Sequence, residues 1–228
     1  MRIGNLAKRQ VFLTYLILFI GLSFFNYGCK SGKQASAFKD SSLSVDTLAL
    51  LSPHVIVEAA SKTKRLPDEE LSLEVSKRIS ETTSSTLKRK YSLESEPFFL
   101  KPNIDDEITA FFNDLDSSKS GLDNIHLPEW LKNDRHGNKS RYFMATFFYG
   151  YYHPDYEPNY VMKQSLQTNT ILLGRSGLNW VSIKLVLADR KTNKILFYNA
   201  DDSFQSDPRV FSSVEAMIKK LIQPIYYR

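Results

Sequence analysis

The sequence predicts an α/β fold: a single mixed β-sheet of about four to five strands that ends in a β-hairpin, with helices packed on it. Strand-length apolar runs alternate with longer segments whose apolar residues recur at helical spacing. One run, Tyr142–Tyr152, is almost continuously apolar, as expected for a central strand buried on both faces. Asn179–Asp189 alternates apolar and polar residues, and the polar turn Arg190–Lys194 leads from it into Ile195–Asn199, which is the pattern of a hairpin.

The first predicted elements are a strand and a helix. Thr47–Leu51 and His54–Glu58 form one apolar stretch interrupted at Ser52-Pro53, so we expect a buried strand with an irregularity at the proline. A helix is expected to begin within Leu66–Glu70, because proline and acidic residues suit a first turn near the positive end of the helix dipole. It should run to Tyr91. Its apolar stripe contains Leu71, Leu73, Val75, Ile79 and Leu87.

A second strand and further helices follow. Pro97–Leu100 is a short apolar strand candidate, and Asn103 is expected to cap a helix with an acidic first turn. Leu127–Leu131 should form a short helical turn that packs Trp130, whereas Val161–Leu173 is ambiguous. A last helix is expected from Asp207-Pro208. The helix after Asn103 should bury Ile108, Phe111, Phe112 and Leu115. The last helix should bury Val210, Val214, Met217, Ile218 and Leu221.

The composition fits one globular domain. The 228 residues are 42% hydrophobic and 24% charged, with 9 Gly and 9 Pro, which excludes collagen-like, disulfide-scaffold and wholly disordered classes. The formal net charge is +5, but three of the 30 basic residues and none of the 25 acidic residues precede Cys29. The remainder therefore carries 27 basic against 25 acidic side chains, a net charge of +2. So small an excess of positive charge creates no large positive potential that would attract a polyanion. We therefore expect no nucleic-acid partner.

The amino terminus has the layout of a cleavable export signal. Arg2, Lys8 and Arg9 form a positive region, Val11–Leu22 is an uncharged apolar run, and a short polar stretch leads to the cysteine. The run is shorter than the ~20 residues that a permanent membrane-spanning helix needs. Residues 1–28 are therefore predicted to be removed on export.

Cys29, the one cysteine of the chain, resembles the modified cysteine of bacterial lipoproteins. It closely follows the apolar run and comes directly after the small residue Gly28. Asn26 and Tyr27 depart from the usual lipobox, and relaxed boxes of this kind resemble those of the Bacteroidota. The resemblance implies a diacylglycerol on the thiol and a further acyl chain, such as palmitate, on the new amino group, which together give stable anchoring. A plain secretory signal and an uncleaved membrane anchor are the alternatives.

The residues after the cysteine bear on its destination. Lys30 is not the Asp that retains some lipoproteins in the inner membrane, and Lys30–Lys33 lacks the acidic residues of a surface-export signal. The resemblance therefore implies the outer membrane, with the protein facing the periplasm. Residues 29–46 are rich in Ser, Lys and Ala and are predicted to be a flexible tether. Residues 47–228 are predicted to form a single α/β domain.

Three stretches together resemble a particular group of lipoproteins. They are LALLSP at 48–53, YFMATFFYG at 142–150 and VSIKLVLADRKTNKILFYNA at 181–200, followed by an amphipathic helix. Their order is similar to that in small envelope lipoproteins such as the curli-secretion lipoprotein and the lipoprotein activator of a penicillin-binding protein. The resemblance covers roughly Thr47–Tyr227 and implies a compact α/β domain that serves assembly or activation of envelope machinery. The aromatic insertion after Gly150 departs from this pattern.

No catalytic or metal-binding motif is present in the sequence. The histidines at 54, 126, 136 and 153 lack the spacing of a zinc site, and neither a G-x-S-x-G motif nor a phosphate loop occurs. Asp105-Asp106 suits a helix amino terminus, and Asp201-Asp202 alone offers too few ligands for calcium. We expect no metal, no cofactor and no enzymatic activity. An envelope hydrolase with paired acids is the enzymatic alternative.

The aromatic segment Tyr149–Tyr160 is the candidate recognition surface. Its sequence, YGYYHPDYEPNY, contains five tyrosines, whose rings offer an apolar face and a hydroxyl to a glycan or a protein. Tyr152, His153, Tyr156 and Tyr160 are the candidate binding residues. Alternatively, the first tyrosines complete a buried strand and the others cover a loop. The sequence thus predicts a non-enzymatic, lipid-anchored adaptor or assembly factor with a protein partner in the envelope, or alternatively a glycan- or peptidoglycan-binding module.

Overall fold

The computed structural model describes residues 32–39, 45–61, 63–102, 104–118, 121–132, 140–155, 179–203 and 206–226. Within these residues, eight strands form one open mixed sheet, and five helices accompany it. The predicted fold class is therefore confirmed. The sheet contains more strands than the four to five expected, because several strands at its margins are short or polar.

The elements follow the chain in the order β1 (Lys33–Gln34), α1 (Ser36–Lys39), β2 (Thr47–Leu51), β3 (His54–Ala60), β4 (Arg65–Pro67), α2 (Glu69–Leu87), β5 (Ser92–Glu96), α3 (Asp105–Ser117), α4 (Glu129–Lys132), β6 (Tyr142–Tyr152), β7 (Trp180–Asp189), β8 (Lys194–Ser203) and α5 (Phe211–Tyr226).

Strand β6 is the centre of the sheet. The strand order is β1-β8-β7-β6-β2-β5, with β3 also paired to β6 and β4 paired to β3. β7 is antiparallel to β6, whereas β2 lies parallel to its first half and β3 parallel to its second half. The stretch predicted as one strand interrupted at Ser52-Pro53 is thus two strands in succession beside β6.

The two faces of the sheet are covered by different helices. Phe147 of β6 contacts the rings of Phe112 in α3 and Trp130 in α4, with centroids 5.0 and 5.9 Å away. On the other face, the Asn199 amide of β8 donates to the Leu221 carbonyl of α5 at 3.1 Å. Helix α2 packs against α5 and β3. Because successive side chains of a strand point to opposite faces, β6 contributes to both layers of the core.

The long apolar patterns predicted their elements correctly. β6 has the predicted bounds, and β7 and β8 form the expected hairpin. In the hairpin turn, Asn193 has a φ of 58°, a left-handed conformation that Asn tolerates better than most residues. Helix α5 buries Val214, Met217, Ile218 and Leu221, as predicted, but it begins at Phe211 and not at Asp207-Pro208, so Val210 precedes it. The ambiguous segment Val161–Leu173 lies outside the described residues.

Helix α2 begins later than predicted and ends earlier, at Leu87 and not at Tyr91. Pro67 belongs to the edge strand β4, where its missing N–H is tolerated, and not to a first helical turn. Asp68 is the N-cap, and its carboxylate accepts a hydrogen bond from the Leu71 amide at 3.0 Å. Leu73, predicted on the apolar stripe, is 74% exposed, because it lies off the face that carries Val75.

The predictions around residues 97–104 were also wrong. The strand is the polar segment Ser92–Glu96, which pairs with β2, whereas Pro97–Leu100 is not a strand. Proline cannot donate to a ladder, and Phe99 is 63% exposed. The N-cap of α3 is Ile104, which makes no side-chain capping bond. Asn103 lies outside the described residues.

Residues 33–39 belong to the folded part, although the predicted tether of 29–46 includes them. β1 pairs with β8, and Phe38 of α1 is fully buried with its ring 6.1 Å from that of Phe197. The Lys33 ammonium donates to the carbonyls of Leu115, Asp116 and Ser118 at the carboxyl end of α3. A Cβ on Gly32 would lie 2.6 Å from the Phe197 ring, so the chain packs closely there. A two-residue strand leaves no periodicity by which to predict it.

Candidate binding groove

A groove of about 430 Å³ lies between α3 and the sheet, over the second half of β6. We call it the groove. β3, β6 and β7 form its floor, and α3 forms one wall. The apolar side chains that line it include Ile56, Phe147, Tyr149 and Trp180 from the sheet and Ile108 and Phe112 from α3.

Strand register places the floor residues side by side. Phe147 lies opposite His54 in β3 and Lys184 in β7, while Tyr149 lies opposite Ile56 and Ser182. Because side chains alternate along a strand, residues two apart share a face. The floor is therefore made by every second residue of three neighbouring strands.

Three aromatic rings cluster at one end of the floor. The Trp180 ring centroid is 5.4 Å from that of Tyr149 and 6.0 Å from that of Tyr151. The Arg65 guanidinium lies 3.9 Å from the centre of the Tyr151 ring, a cation–π contact that covers one of its faces. Tyr149 and Trp180 line the groove itself.

Glu58 lies next to these rings, and its carboxylate has two partners. It accepts a hydrogen bond from the Tyr149 hydroxyl and lies 4.0 Å from the Arg65 guanidinium. Arg65 in turn donates to the Tyr149 hydroxyl at 3.2 Å. Burial raises the pKa of Tyr149, and the hydrogen bond to Glu58 raises it further. Tyr149 is therefore a neutral donor at physiological pH.

The remaining polar groups lie at the edges of the groove. Lys184 forms an ion pair with Asp116 at 2.9 Å and lies 4.9 Å from the centre of the Phe112 ring. Burial lowers the pKa of His54, an effect that the charge of Asp105 opposes. His54 is consequently neutral at pH 7, with one ring nitrogen as a donor and the other as an acceptor.

The opposite face of the same strand end is closed by a polar network of Asp68, Tyr152, Asn179, Asp207 and Arg209, which we call the closing network. The Tyr152 hydroxyl donates to Asp68 at 2.7 Å, and the Arg209 guanidinium lies 4.4 Å from the centre of the Tyr152 ring. Asp207 accepts hydrogen bonds from Arg209 at 2.7 Å and from the Asn179 amide at 2.9 Å. The network joins the end of β6 to the amino end of α2 and to the segment before α5.

The candidate recognition residues are thus not brought together in the groove. Tyr152 belongs to the closing network, on the other face of the sheet. The His153 backbone amide donates to Asn179 at 3.2 Å, and the side chain is half-buried. Tyr156 and Tyr160 lie outside the described residues, as does Cys29.

The sequence pattern does not mark Trp180, Arg65 or Glu58 as site residues. The alternation along β6 could have separated Tyr149 and Tyr151 from Tyr152. Only the pairing register of β6 and β7 places Trp180 opposite Tyr151, and Arg65 lies in a short strand that the sequence does not predict.

Two structural findings bear on other kinds of site. Within the described ranges, no three His, Cys, Asp or Glu side chains are grouped so that they could hold a metal ion. Among the helices of that same part of the chain, none combines the length and the apolar character needed to cross a membrane.

Comparisons with known proteins give weak similarities. No protein-family model matches the chain, and no curated protein matches it. Among solved structures, it is similar to the PelC dodecamer from Paraburkholderia phytofirmans, with 11% identity, a TM-score of 0.38, and coverage of 87% of this chain and 95% of that one. A neuraminyllactose-binding hemagglutinin homolog from Helicobacter pylori gives 14% identity and a TM-score of 0.38, with 89% of each chain covered. The hypothetical protein CT253 from Chlamydia trachomatis gives 14% identity and a TM-score of 0.32, with 78% of this chain and 98% of that one covered. At these identities and TM-scores, the similarities support no statement about fold or function.

Proposed function

We propose that this protein is a bacterial lipoprotein, anchored in the outer membrane by acyl chains on Cys29, whose folded part faces the periplasm. There it acts as a non-enzymatic adaptor or assembly factor for a cell-envelope complex. The observation that carries this proposal is the amino-terminal pattern: positive residues, the apolar run Val11–Leu22, and Gly28 directly before Cys29.

The start of the fold adds a constraint on the proposed anchor. β1 begins at Lys33, four residues after Cys29. At ~3.3 Å per residue, four residues span at most about 13 Å. The anchored body would therefore be held next to the bilayer, and not tens of ångströms away from it as a tether of 29–46 would allow.

The groove supports an adaptor role. Two of its charged side chains have partners: Glu58 contacts Tyr149 and Arg65, and Lys184 forms an ion pair with Asp116. Such paired charges, set around aromatic rings, suit recognition of a ligand through fixed contacts. An adaptor held at a membrane needs a surface of this kind.

The anchor is tested by the intact mass of the protein after detergent extraction from cells. The wild type should begin at Cys29 and carry diacylglycerol and an amide-linked acyl chain, whereas Cys29→Ser should accumulate as the unprocessed precursor. An unmodified cysteine in the mature wild type, or normal processing and envelope sedimentation of Cys29→Ser, would show that the anchoring proposal is wrong.

The adaptor role is tested by site-specific photo-crosslinking in cells. A photoreactive residue at Asn113, in the groove wall, should capture one defined envelope component reproducibly. The matched control carries the photoreactive residue in place of Glu81, on the exposed side of α2, and should not capture that component. Absence of a defined product from Asn113 under several chemistries would contradict the adaptor role.

A further inference from the structure

The size of the groove indicates what kind of ligand it can hold. Its volume of about 430 Å³ lies within the roughly 300–1,000 Å³ of small-molecule sites. A stable protein–protein interface instead covers about 800 Å² on each partner. The groove therefore suits one or two rings of a ligand better than a protein surface.

The aromatic floor favours a ligand with flat apolar faces. Tyr149 and Trp180 are both half-buried, and their rings meet at 60°. Each ring presents an apolar face with a polar group at its edge. A sugar ring has the complementary form, because its C–H groups make apolar faces and its hydroxyls surround them.

Polar groups close to these rings can bind the hydroxyl and amide groups of a sugar. Glu58 is held by Tyr149 and Arg65, and a carboxylate offers about four acceptor positions, so it can accept further hydrogen bonds without being reordered. Neutral His54 can donate or accept, and Asn113 on α3 can do both.

Two other ligand classes fit these observations less well. A lipid acyl chain would displace water from His54, Glu58 and Lys184 without offering hydrogen bonds in its place, and such desolvation of polar groups is costly. A polyanion would meet the carboxylates of Glu58 and Asp105, while the charge of Lys184 is neutralised by Asp116.

We propose that the groove binds a sugar ring of an N-acetylated glycan, stacked on Trp180, in contact with Tyr149 and hydrogen-bonded to Glu58, with the acetyl group against Ile108 and Phe112. The choice of an N-acetylated glycan rests on the proposed periplasmic position, because peptidoglycan strands there consist of N-acetylated sugars. The adaptor then joins the membrane to the peptidoglycan layer.

The test uses the full-length mature protein extracted in detergent. It should co-sediment with isolated sacculi and bind tri-N-acetylchitotriose in calorimetry, but not maltotriose, which has no acetyl groups. Trp180→Ala should weaken both interactions about ten-fold, the effect of losing one aromatic contact. Leu73→Ala removes an exposed apolar side chain from α2 and should leave both unchanged.

A second variant tests the groove without removing a side chain from the fold. Thr109 lines the groove from the exposed side of α3, so Thr109→Trp fills the groove and removes no core contact. It should also abolish binding while its thermal unfolding stays like that of the wild type. Equal binding by the wild type and folded groove variants, no binding by the wild type, or equal affinity for maltotriose would each overturn the inference.

The failure of this inference and that of the proposed function can be told apart. Binding is measured on extracted protein and does not depend on the anchor. An unmodified Cys29 together with groove-dependent glycan binding would contradict the anchoring proposal but not the groove proposal. Correct lipidation together with no glycan binding would remove the groove proposal alone.

Discussion

The end of β6 has two faces that use the same residue type in different ways. Tyr149 and Tyr151 point towards the groove side with Trp180, whereas Tyr152 points into the closing network. Adjacent tyrosines therefore differ in role because the pleat alternates their direction. A tyrosine-rich stretch of sequence is not one surface.

The polar groups of the two faces also differ in their exposure to water. Asp207 of the closing network is 2% exposed and accepts hydrogen bonds from both Arg209 and Asn179. Next to the groove, the side chains of Glu58 and Arg65 are 20% and 47% exposed. Removing one partner of a buried ion pair strongly lowers the free energy of unfolding, because the other charge stays buried without a partner. Exposed ion pairs contribute little to stability. We infer that the closing network supports the fold and that the groove side is available for recognition.

The strongest test of this difference is Asp207→Asn. The amide would lose the charge that faces Arg209 and would direct an N–H₂ group towards the guanidinium or towards Asn179. We expect the free energy of unfolding to fall by about 3 kcal/mol, as measured by urea denaturation at pH 7.

An exposed ion pair provides the matched control. Glu215 lies 3.9 Å from Lys219 on the surface of α5. Glu215→Gln should change the free energy of unfolding by at most about 0.5 kcal/mol. Equal effects of the two substitutions would show that burial of Asp207 does not matter for stability.

A smaller effect is expected from removing one hydroxyl on each face. Tyr152→Phe deletes the hydrogen bond to the Asp68 carboxylate and should lower the free energy of unfolding by about 1.5 kcal/mol. Tyr149→Phe should cost only about 0.5 kcal/mol, because Glu58 and Arg65 remain paired and can reach water. Urea denaturation of both variants measures the difference, and the reverse order would contradict the assignment of roles.

A further test is the dependence of stability on alkaline pH. Burial, reinforced by the hydrogen bond to Asp68, raises the pKa of Tyr152 from 10.0 to about 12. The folded state thus holds the proton more tightly than the unfolded state, so this contribution to stability is complete below pH 10 and is lost as the pH rises to 12. The free energy of unfolding of the wild type should therefore fall more steeply than that of Tyr152→Phe between pH 10 and 12. Parallel curves would show that Tyr152 is not coupled to folding in this way.

The elements that sequence predicted well are those whose burial leaves a long pattern. β6 is apolar along almost its whole length because helices cover both faces, and α5 repeats its apolar residues at helical spacing over four turns. β5 is polar because it lies at the sheet edge, so its sequence lacks the apolar pattern that predicts a strand. β1 is too short to carry any pattern.

The candidate groove could be predicted only in part. The tyrosines of β6 were noticed from composition, but their partners come from distant segments. Glu58 and Arg65 meet Tyr149 only because β3 and β4 form a hairpin beside β6, whereas the proline in β4 is, in sequence, typical of a helix start. Tertiary packing decides which strands pair when they are far apart in sequence. The local propensities of residues carry no information about that packing.

The attachment of β1 to β8 decides where a shortened version of this protein can begin. A chain starting at Thr47, where apolar patterning first becomes visible, would lack both β1 and α1. The backbone groups of Phe197 and Tyr198 that face β1 would lose their partners, and the Phe197 ring would lose Phe38. An open apolar strand edge is a template for strands of other molecules, so such a fragment would self-associate through β8.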